Sequence, residues 1–429
     1  MSTNQMVKQS GHRIVSVFQF AVAFLCGKGI QFIAPLLLAN ILSVEQYGLI
    51  EFSMSIALAM VSLLSMGAFT FIPRKILQKD VWISRNAVYR YLVLVSLILI
   101  ILSFFFSSES PPSATQLSFS FCGILLLQGG LSATLKSFQK RSMAMILDAM
   151  LWIVILLSAW SIFARTNSSI DSSLLISCAV YFCLLTCLIF RSKDRSEEDN
   201  KKLNLRYVSA GIKITVVGFC SVAIAVSGRF LVGLIFSVEE VGFYSSLYRV
   251  AILPIIAHQF IILYLYKYAY KAQDRKFSNF GSLVFLCTSI CALMLWVVMP
   301  YSGFIFGLAF ENSLSSNADL FLLLIVNGPI WSAIAVNELA YGKFANSNKV
   351  IFPAIVFVVL FGCMSVYFMQ FATLYDFAIW HTLGFSLYYL QNSLFCYASA
   401  IPVSRFVVVS VSCVALVCLY SIIERGSFL

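Results

Sequence analysis

Ile41-Leu42-Ser43-Val44-Glu45-Gln46-Tyr47-Gly48 returns as Ile235-Phe236-Ser237-Val238-Glu239-Glu240-Val241-Gly242, with Ile, Ser, Val, Glu and Gly in the same register 194 residues later. Five identities in eight prove little in a chain of 429 residues; position is the stronger argument. Each copy forms a short acidic turn between the first and second long apolar segments of its own half. Behind the first runs Leu49 to Phe71 and behind the second Phe243 to Tyr266, both apolar and of helical length. Self-similarity at a fixed period marks a duplicated structural unit. The chain reads as two related helical bundles.

Composition sets the class. Hydrophobic residues make up 60% and charged residues 11%, and the mean hydropathy is +0.92. A soluble domain carries about 25% charged residues. Segments of about 20 mostly apolar residues recur along the whole length, each suited to a bilayer-spanning helix. The net charge of +11 raises a nucleic-acid reading, but the basic residues sit between apolar spans rather than on one soluble face. Cationic loops of a membrane protein account for them better. The expected fold class is all-α: a polytopic integral membrane protein with no nucleic-acid partner. The twelve cysteines include Cys178, Cys183, Cys187, Cys287, Cys291, Cys413 and Cys418 inside apolar spans, with no CxxC. They read as small buried hydrophobes. Lys8, His12 and Arg13 precede an apolar run too long for a signal peptide, so that run is expected to stay as the first span.

The apolar segments fall at 14–39, 47–72, 88–106, 117–137, 143–163 and 171–190, then at 207–235, 243–266, 280–300, 318–340, 350–371 and 375–398, with one more at 403–423. The first twelve pair as six plus six. The expected division is therefore a six-helix bundle over 1–190, a cytoplasmic linker over 191–206, a second bundle over 207–398 and an extra apolar segment over 399–429. An even number of spans per half makes the duplication a parallel repeat. Two alternatives stand for the end of the chain. Either 403–423 is a true thirteenth span, or 375–398, dotted with Asp376, His381, Gln391 and Asn392, does not span fully. Placing the N-terminus in the cytoplasm puts most lysines and arginines on that side, among them Arg85, Arg90, Lys136, Lys140, Arg275 and Lys276. The other side receives Arg165 and Arg425 with Glu45, Glu109, Glu239, Glu240 and Glu311, as the positive-inside rule requires.

Function must lie in what is polar within the spans, because ionisable groups there are costly and face a bundle interior or an aqueous cavity. Lys28 lies near the middle of the first span, with Gln31 and Pro35 on the same helical face. Arg229 holds the position matching Pro35 in the repeat, Arg249 lies two turns into the eighth segment, and Glu51 occupies the corresponding region of the second. Asp148, Lys213 and Glu338 lie nearer cytoplasmic ends, where snorkelling or a structural ion pair is the plainer reading. Lys28 and Arg229, in mid-span, point to a cavity. Arg249 and Glu51 fit either account. His258 beside Pro254 reads as a packed helix residue or a proton relay, and Gly123, Gly129 and Gly130 as close helix contacts. No GxxxxGK[ST], HExxH or serine–histidine pairing appears. The expectation is a protein that is not an enzyme, with no cofactor and no bound ATP. If it moves something, the energy would come from an ion gradient, of protons or sodium, or from the substrate's own gradient, with Glu51 and Asp148 as the acids that could carry the coupling ion.

Gly27-Lys28-Gly29-Ile30, Pro35-Leu36-Leu37-Leu38-Ala39 and Leu42 to Gly48, with Met66-Gly67-Ala68, Pro73-Arg74 and the echo Ser237 to Ser245, resemble the Wzx-type polysaccharide flippases of the multidrug/oligosaccharidyl-lipid/polysaccharide (MOP) exporter superfamily. The resemblance implies a MATE-like pair of six-helix bundles in a V around a central cavity. It implies transport of undecaprenyl-pyrophosphate-linked oligosaccharide from the cytoplasmic to the periplasmic leaflet of the bacterial inner membrane, as in O-antigen and lipopolysaccharide synthesis. The implied partners are the lipid-linked oligosaccharide, membrane lipids, a polysaccharide polymerase and a chain-length regulator. A pyrophosphate headgroup calls for shielded cations, so Lys28, Gln31, Arg229 and Arg249 are the expected substrate contacts, with Lys28 and Arg229 facing one cavity. The competing readings are a multidrug exporter of the same superfamily, which would favour an acidic cavity, and a membrane-embedded polymerase, which would need a large external loop.

Overall fold

The computed structural model describes residues 3–78, 84–105, 113–138, 140–163, 172–191, 205–271, 274–299, 314, 317–344, 348–368 and 373–425. The long elements among them are helices: α1 (Thr3–Ile41), α2 (Val44–Leu64), α3 (Ala68–Gln78), α4 (Arg85–Phe105), α5 (Ala114–Ser137), α6 (Arg141–Phe163), α7 (Ser172–Arg191), α8 (Leu205–Ile235), α9 (Val238–Ala251), α10 (Pro254–Lys271), α11 (Asp274–Val298), α12 (Ala318–Phe344), α13 (Asn348–Phe368), α14 (Leu374–Ala398) and α15 (Arg405–Arg425). Among the described residues, eleven helices are long and apolar enough to cross a membrane, or twelve if the bent pair α9–α10 is one span. The all-helical, polytopic class expected from composition is the class observed.

Two expected spans are broken. The second ends at Leu64, where Met66 and Gly67 take positive φ values of 46° and 72° before α3 begins. Glycine adopts that conformation freely and methionine rarely does, so the turn interrupts what the apolar run suggested was one helix. The eighth bends by 49° between α9 and α10. Pro254 opens α10, where its missing N–H leaves no intrahelical bond unmade.

Helix α15 passes the length and composition test for a span, whereas α14, though 25 residues long, does not. Burial explains why α14 can be polar. It packs against α12, α13 and α15, and Ser386, Asn392, Ser393, Thr382 and His381 are all buried within the protein. A helix walled by other helices need not be apolar all round, since its side chains meet protein rather than lipid. The same relation holds across the molecule: α5, the most buried candidate span, is also the least apolar.

The chain divides into two compact units, Met1–Ile41 with Leu64–Ile212, and Leu42–Leu63 with Lys213–Leu429. Helix α2 thus groups with the second unit, although the sequence reading placed it in a first bundle over 1–190. Most of the 191–206 linker lies outside the described residues. In the first unit α5 is the hub, against α3, α4, α6 and α7. The expected close contacts are present: a Cβ on Gly123 would stand 3.0 Å from the Ser96 carbonyl oxygen, one on Gly130 2.8 Å from Leu92, and one on Gly129 would run into Phe69. Small residues let helices approach this closely where apolar burial alone gives no drive to associate. In the second unit the Trp380 indole donates to Ser365 Oγ at 2.8 Å and Asn337 to Ser393 Oγ at 3.0 Å. Ile379 and Leu383 of α14 meet Ala415, Cys418 and Ile422 of α15.

Candidate functional site

The repeated stretch is a pair of helix starts. Ser43 and Ser237 each accept a hydrogen bond from the backbone N–H three residues on, Gln46 at 3.2 Å and Glu240 at 3.1 Å. Each therefore caps its helix. Glu45 and Glu239 lie in the first turns, where a negative charge suits the positive end of the helix dipole. The glycines serve a contact between the copies. A side chain on Gly48 would run into the Val238 carbonyl, and one on Gly242 into the Val44 carbonyl. A shift of 194 residues carries Val44 onto Val238 and Gly48 onto Gly242, so the two helices touch through equivalent residues across a local pseudo-two-fold axis, as in an isologous interface. Gly233 supplies a further close approach, beneath the Phe52 ring.

One turn beyond Gly48 lies the charged cluster of the second unit. Glu51 on α2 is fully buried. Its carboxylate accepts from Arg229 Nη1 on α8 at 2.6 Å, from Arg249 Nη2 on α9 at 2.9 and 3.0 Å, from Arg249 Nε at 3.1 Å and from the Tyr47 hydroxyl at 3.1 Å. Both arginine side chains are largely buried too. Charge-assisted, forked bonds of this kind are short and strong, and they lock three helices together. Among the described residues the cluster sets two arginines against one carboxylate, and the buried Nε of Arg229 has no acceptor. Chemically it is a shielded cluster that, among the described residues, has more cations than anions and one unused donor.

A second polar chain runs on from it. The Arg229 guanidinium lies 5.8 Å from the Tyr248 ring centre. Tyr248 stacks on Tyr244 at 5.7 Å, and the Tyr244 hydroxyl meets His381 Nδ1 at 3.2 Å. His381 Nε2 meets Ser227 Oγ at 2.9 Å. His381 was noted in the sequence only as a polar interruption of 375–398; Tyr244, Tyr248 and Ser227 were not singled out. A histidine within an apolar helix was the one available signal.

The first unit holds a separate group. Gly27 lets α1 approach α6 closely, since a Cβ there would stand 2.7 Å from the Met145 carbonyl oxygen. That approach brings Gln31 Nε2 to the Asp148 carbonyl at 2.7 Å, while Lys28 Nζ donates to Gln31 Oε1 at 2.9 Å. The Asp148 carboxylate takes Lys136 at 2.9 Å, in a partly exposed pair. The six sequence candidates therefore fall into two groups, Lys28, Gln31 and Asp148 in one unit and Glu51, Arg229 and Arg249 in the other. Each expected cation set lies beside the expected acid. His258 is buried, with neither ring nitrogen bonded among the described residues. The side chains of Lys213 and Glu338 lie outside the described residues.

No protein-family profile and no curated protein matches the sequence. Solved structures do match by shape. An outward-facing multidrug resistance MATE family transporter of the MOP superfamily aligns over 90% of this chain and 95% of its own, with a TM-score of 0.56 and 13% identity. An inward-facing structure of such a transporter aligns over 89% and 94%, with a TM-score of 0.55 and 14% identity. The fold is that of the MATE transporters. At this identity the likeness fixes the architecture and leaves the cargo to be argued from the site.

Proposed function

We propose that the protein is a membrane transporter of the MOP type that moves a polyprenyl-pyrophosphate-linked oligosaccharide across the bacterial inner membrane, from the cytoplasmic to the periplasmic leaflet, by alternating access. The observation that carries this reading is the surplus cation of the Glu51–Arg229–Arg249 cluster with its unused Arg229 Nε. A pyrophosphate supplies the missing negative charge and the missing acceptor in one group. Arg229 and Arg249 would hold the headgroup in the second unit; Lys28 and Gln31 are the cation and amide of the first unit that would serve the cargo. The work would come from a proton or sodium gradient, with Glu51 and Asp148 as the acids nearest these groups.

A multidrug exporter is the second reading, favoured by the description of the structural neighbours. Cationic drugs call for unpaired acids. Glu51, by contrast, is bonded to two arginines, and Asp148 to Lys136. The deciding experiment uses purified protein in liposomes, assayed side by side with a fluorescent polyprenyl-pyrophosphate oligosaccharide and with a cationic dye. Flipping of the glycolipid, lost in Arg229→Gln, is the expected result. Dye transport without glycolipid flipping would overturn the proposal.

A further inference from the structure

His381 is an ionisable group with no part in the reading above, enclosed in the second unit with no exposed surface. Intramembrane ionisable residues are costly and mark function by default, and here both ring nitrogens have hydrogen-bond partners. The Ser227 hydroxyl has one proton, and it donates that proton to the Ile224 carbonyl at 2.8 Å. Ser227 Oγ must then accept from His381 at 2.9 Å, which puts the ring hydrogen on Nε2. Nδ1 meets the Tyr244 hydroxyl at 3.2 Å, accepting from it when the ring is neutral and donating to it when the ring is protonated. In the neutral ring Nδ1 is the single basic atom.

We propose that His381 is a proton-binding site, linked through Tyr244, Tyr248 and Arg229 to anion binding at the Glu51–Arg229–Arg249 cluster. The surroundings suit a ring that changes charge. Phe377 stacks on it at 5.7 Å and 14°, Phe385 meets it edge-on at 4.9 Å, and Phe361 lies at 6.4 Å. Aromatic faces stabilise an imidazolium without fixing its charge as a carboxylate would. Among the described residues the polar groups that face it are few, and the Ile224 carbonyl of α8 is one of them. Ser227 comes from α8, with Arg229 two residues on; Tyr244 comes from α9, with Tyr248 behind it; Phe361 comes from α13. Glu51 on α2 is reached only through Arg229. Asp376, on the ring's own helix, is held by Thr373 and Arg425. The nearest fixed charge along the hydrogen-bonded and stacked chain is therefore the surplus cation.

Two consequences follow. A proton on Nδ1 must be donated to Tyr244 Oη, which turns the tyrosine hydroxyl away from the ring and disturbs the Tyr244–Tyr248 stack beneath Arg229. The imidazolium and the surplus guanidinium also repel each other, so an anion that neutralises the arginines makes protonation of His381 easier. By reciprocity a proton on His381 strengthens anion binding by the same factor. The proposal deepens the ion-coupled reading and rests on it only for the link to transport; the proton site itself stands on geometry.

The chain has three histidines, so histidine-selective nitrogen NMR on the full-length protein in nanodiscs resolves His381, assigned by its loss in His381→Gln. The expected result at neutral pH is a ring protonated on Nε2 alone. At a fixed mildly acidic pH, both inorganic pyrophosphate and Arg229→Gln should raise its protonated fraction several-fold. In binding assays wild type should hold pyrophosphate more tightly, relative to His381→Gln, as pH falls; comparing the two cancels the titration of the ligand. A ring protonated on Nδ1, or a protonated fraction unmoved by Arg229→Gln, overturns the proposal. If no pyrophosphate binds at all, the flippase reading fails, while the Arg229→Gln arm still decides the proton site.

Discussion

Replacing Glu51 by Gln tests the central cluster most directly. The carboxylate takes guanidinium N–H groups from Arg229 and Arg249 on both oxygens, at 2.6 to 3.1 Å, and is completely buried. Glutamine keeps the shape but offers one acceptor oxygen. Its amide N–H groups point into the face where an arginine already donates, and both guanidiniums lose the carboxylate they share. Removing one partner of a buried ion pair costs about 3–5 kcal/mol, because the other charge stays buried and uncompensated. Arg229→Met and Arg249→Met should each cost less, since either leaves a balanced one-to-one pair. The triple change Glu51→Leu, Arg229→Met, Arg249→Met should recover most of the loss, as apolar replacement of a whole buried network often does. Equilibrium unfolding in mixed micelles, followed by tryptophan fluorescence, reads all of these. If Glu51→Gln unfolds within about 1 kcal/mol of wild type, the cluster is not the buried, desolvated network described here.

Three further outcomes follow. Gly48→Ala and Gly242→Ala should each destabilise by about 1–3 kcal/mol through overpacking, and the double variant should cost less than the sum because both push apart one helix crossing; strict additivity in the same unfolding assay would deny the shared contact. Lys28→Ala and Arg229→Ala should cut surface polysaccharide severely with membrane levels intact, while Lys28→Arg keeps much of the activity because a point charge serves a phosphate; full export by both alanine variants, measured on whole cells, would remove these residues from the cargo path. Reporter fusions after Arg85, Lys140, Lys201 and Arg275 should read as cytoplasmic and those near Glu109 and Glu311 as external; an external signal at Lys201 would break the six-plus-six arrangement.

The helical, many-span architecture was legible because apolar length reports directly on the bilayer. The repeat was legible too, but its purpose was not. Gly48 and Gly242 matter because each meets the other copy's backbone, and a linear reading shows two turns without showing that they touch. Glu51, Arg229 and Arg249 each stood out as charges in apolar surroundings. Their union did not, since the arginines lie 178 and 198 residues from the acid. The break before Pro254 fell inside a segment read as continuous, 243–266, and the positive φ of Met66 has no counterpart in composition. The polar residues of α14 argued correctly that it differs from its neighbours. That they form a buried interior, with His381 held by Ser227 and Tyr244 from 154 and 137 residues away, required the packing.

The distance along the chain between Glu51 and its partners has a consequence for synthesis. A ribosome adds about 5–20 residues per second, and 178 residues separate Glu51 from Arg229. Helix α2 therefore enters the membrane roughly 10–40 s before its first cation is made. Through that interval its carboxyl must be protonated, turned toward the interface or lodged against the insertion machinery. The groove that Gly48 is shaped for does not yet exist either, because Val238 and Gly242 come later still. A chain released before residue 229 would leave α2 with an acid in the hydrocarbon and no neighbour to hold it, a signature that membrane quality control could recognise.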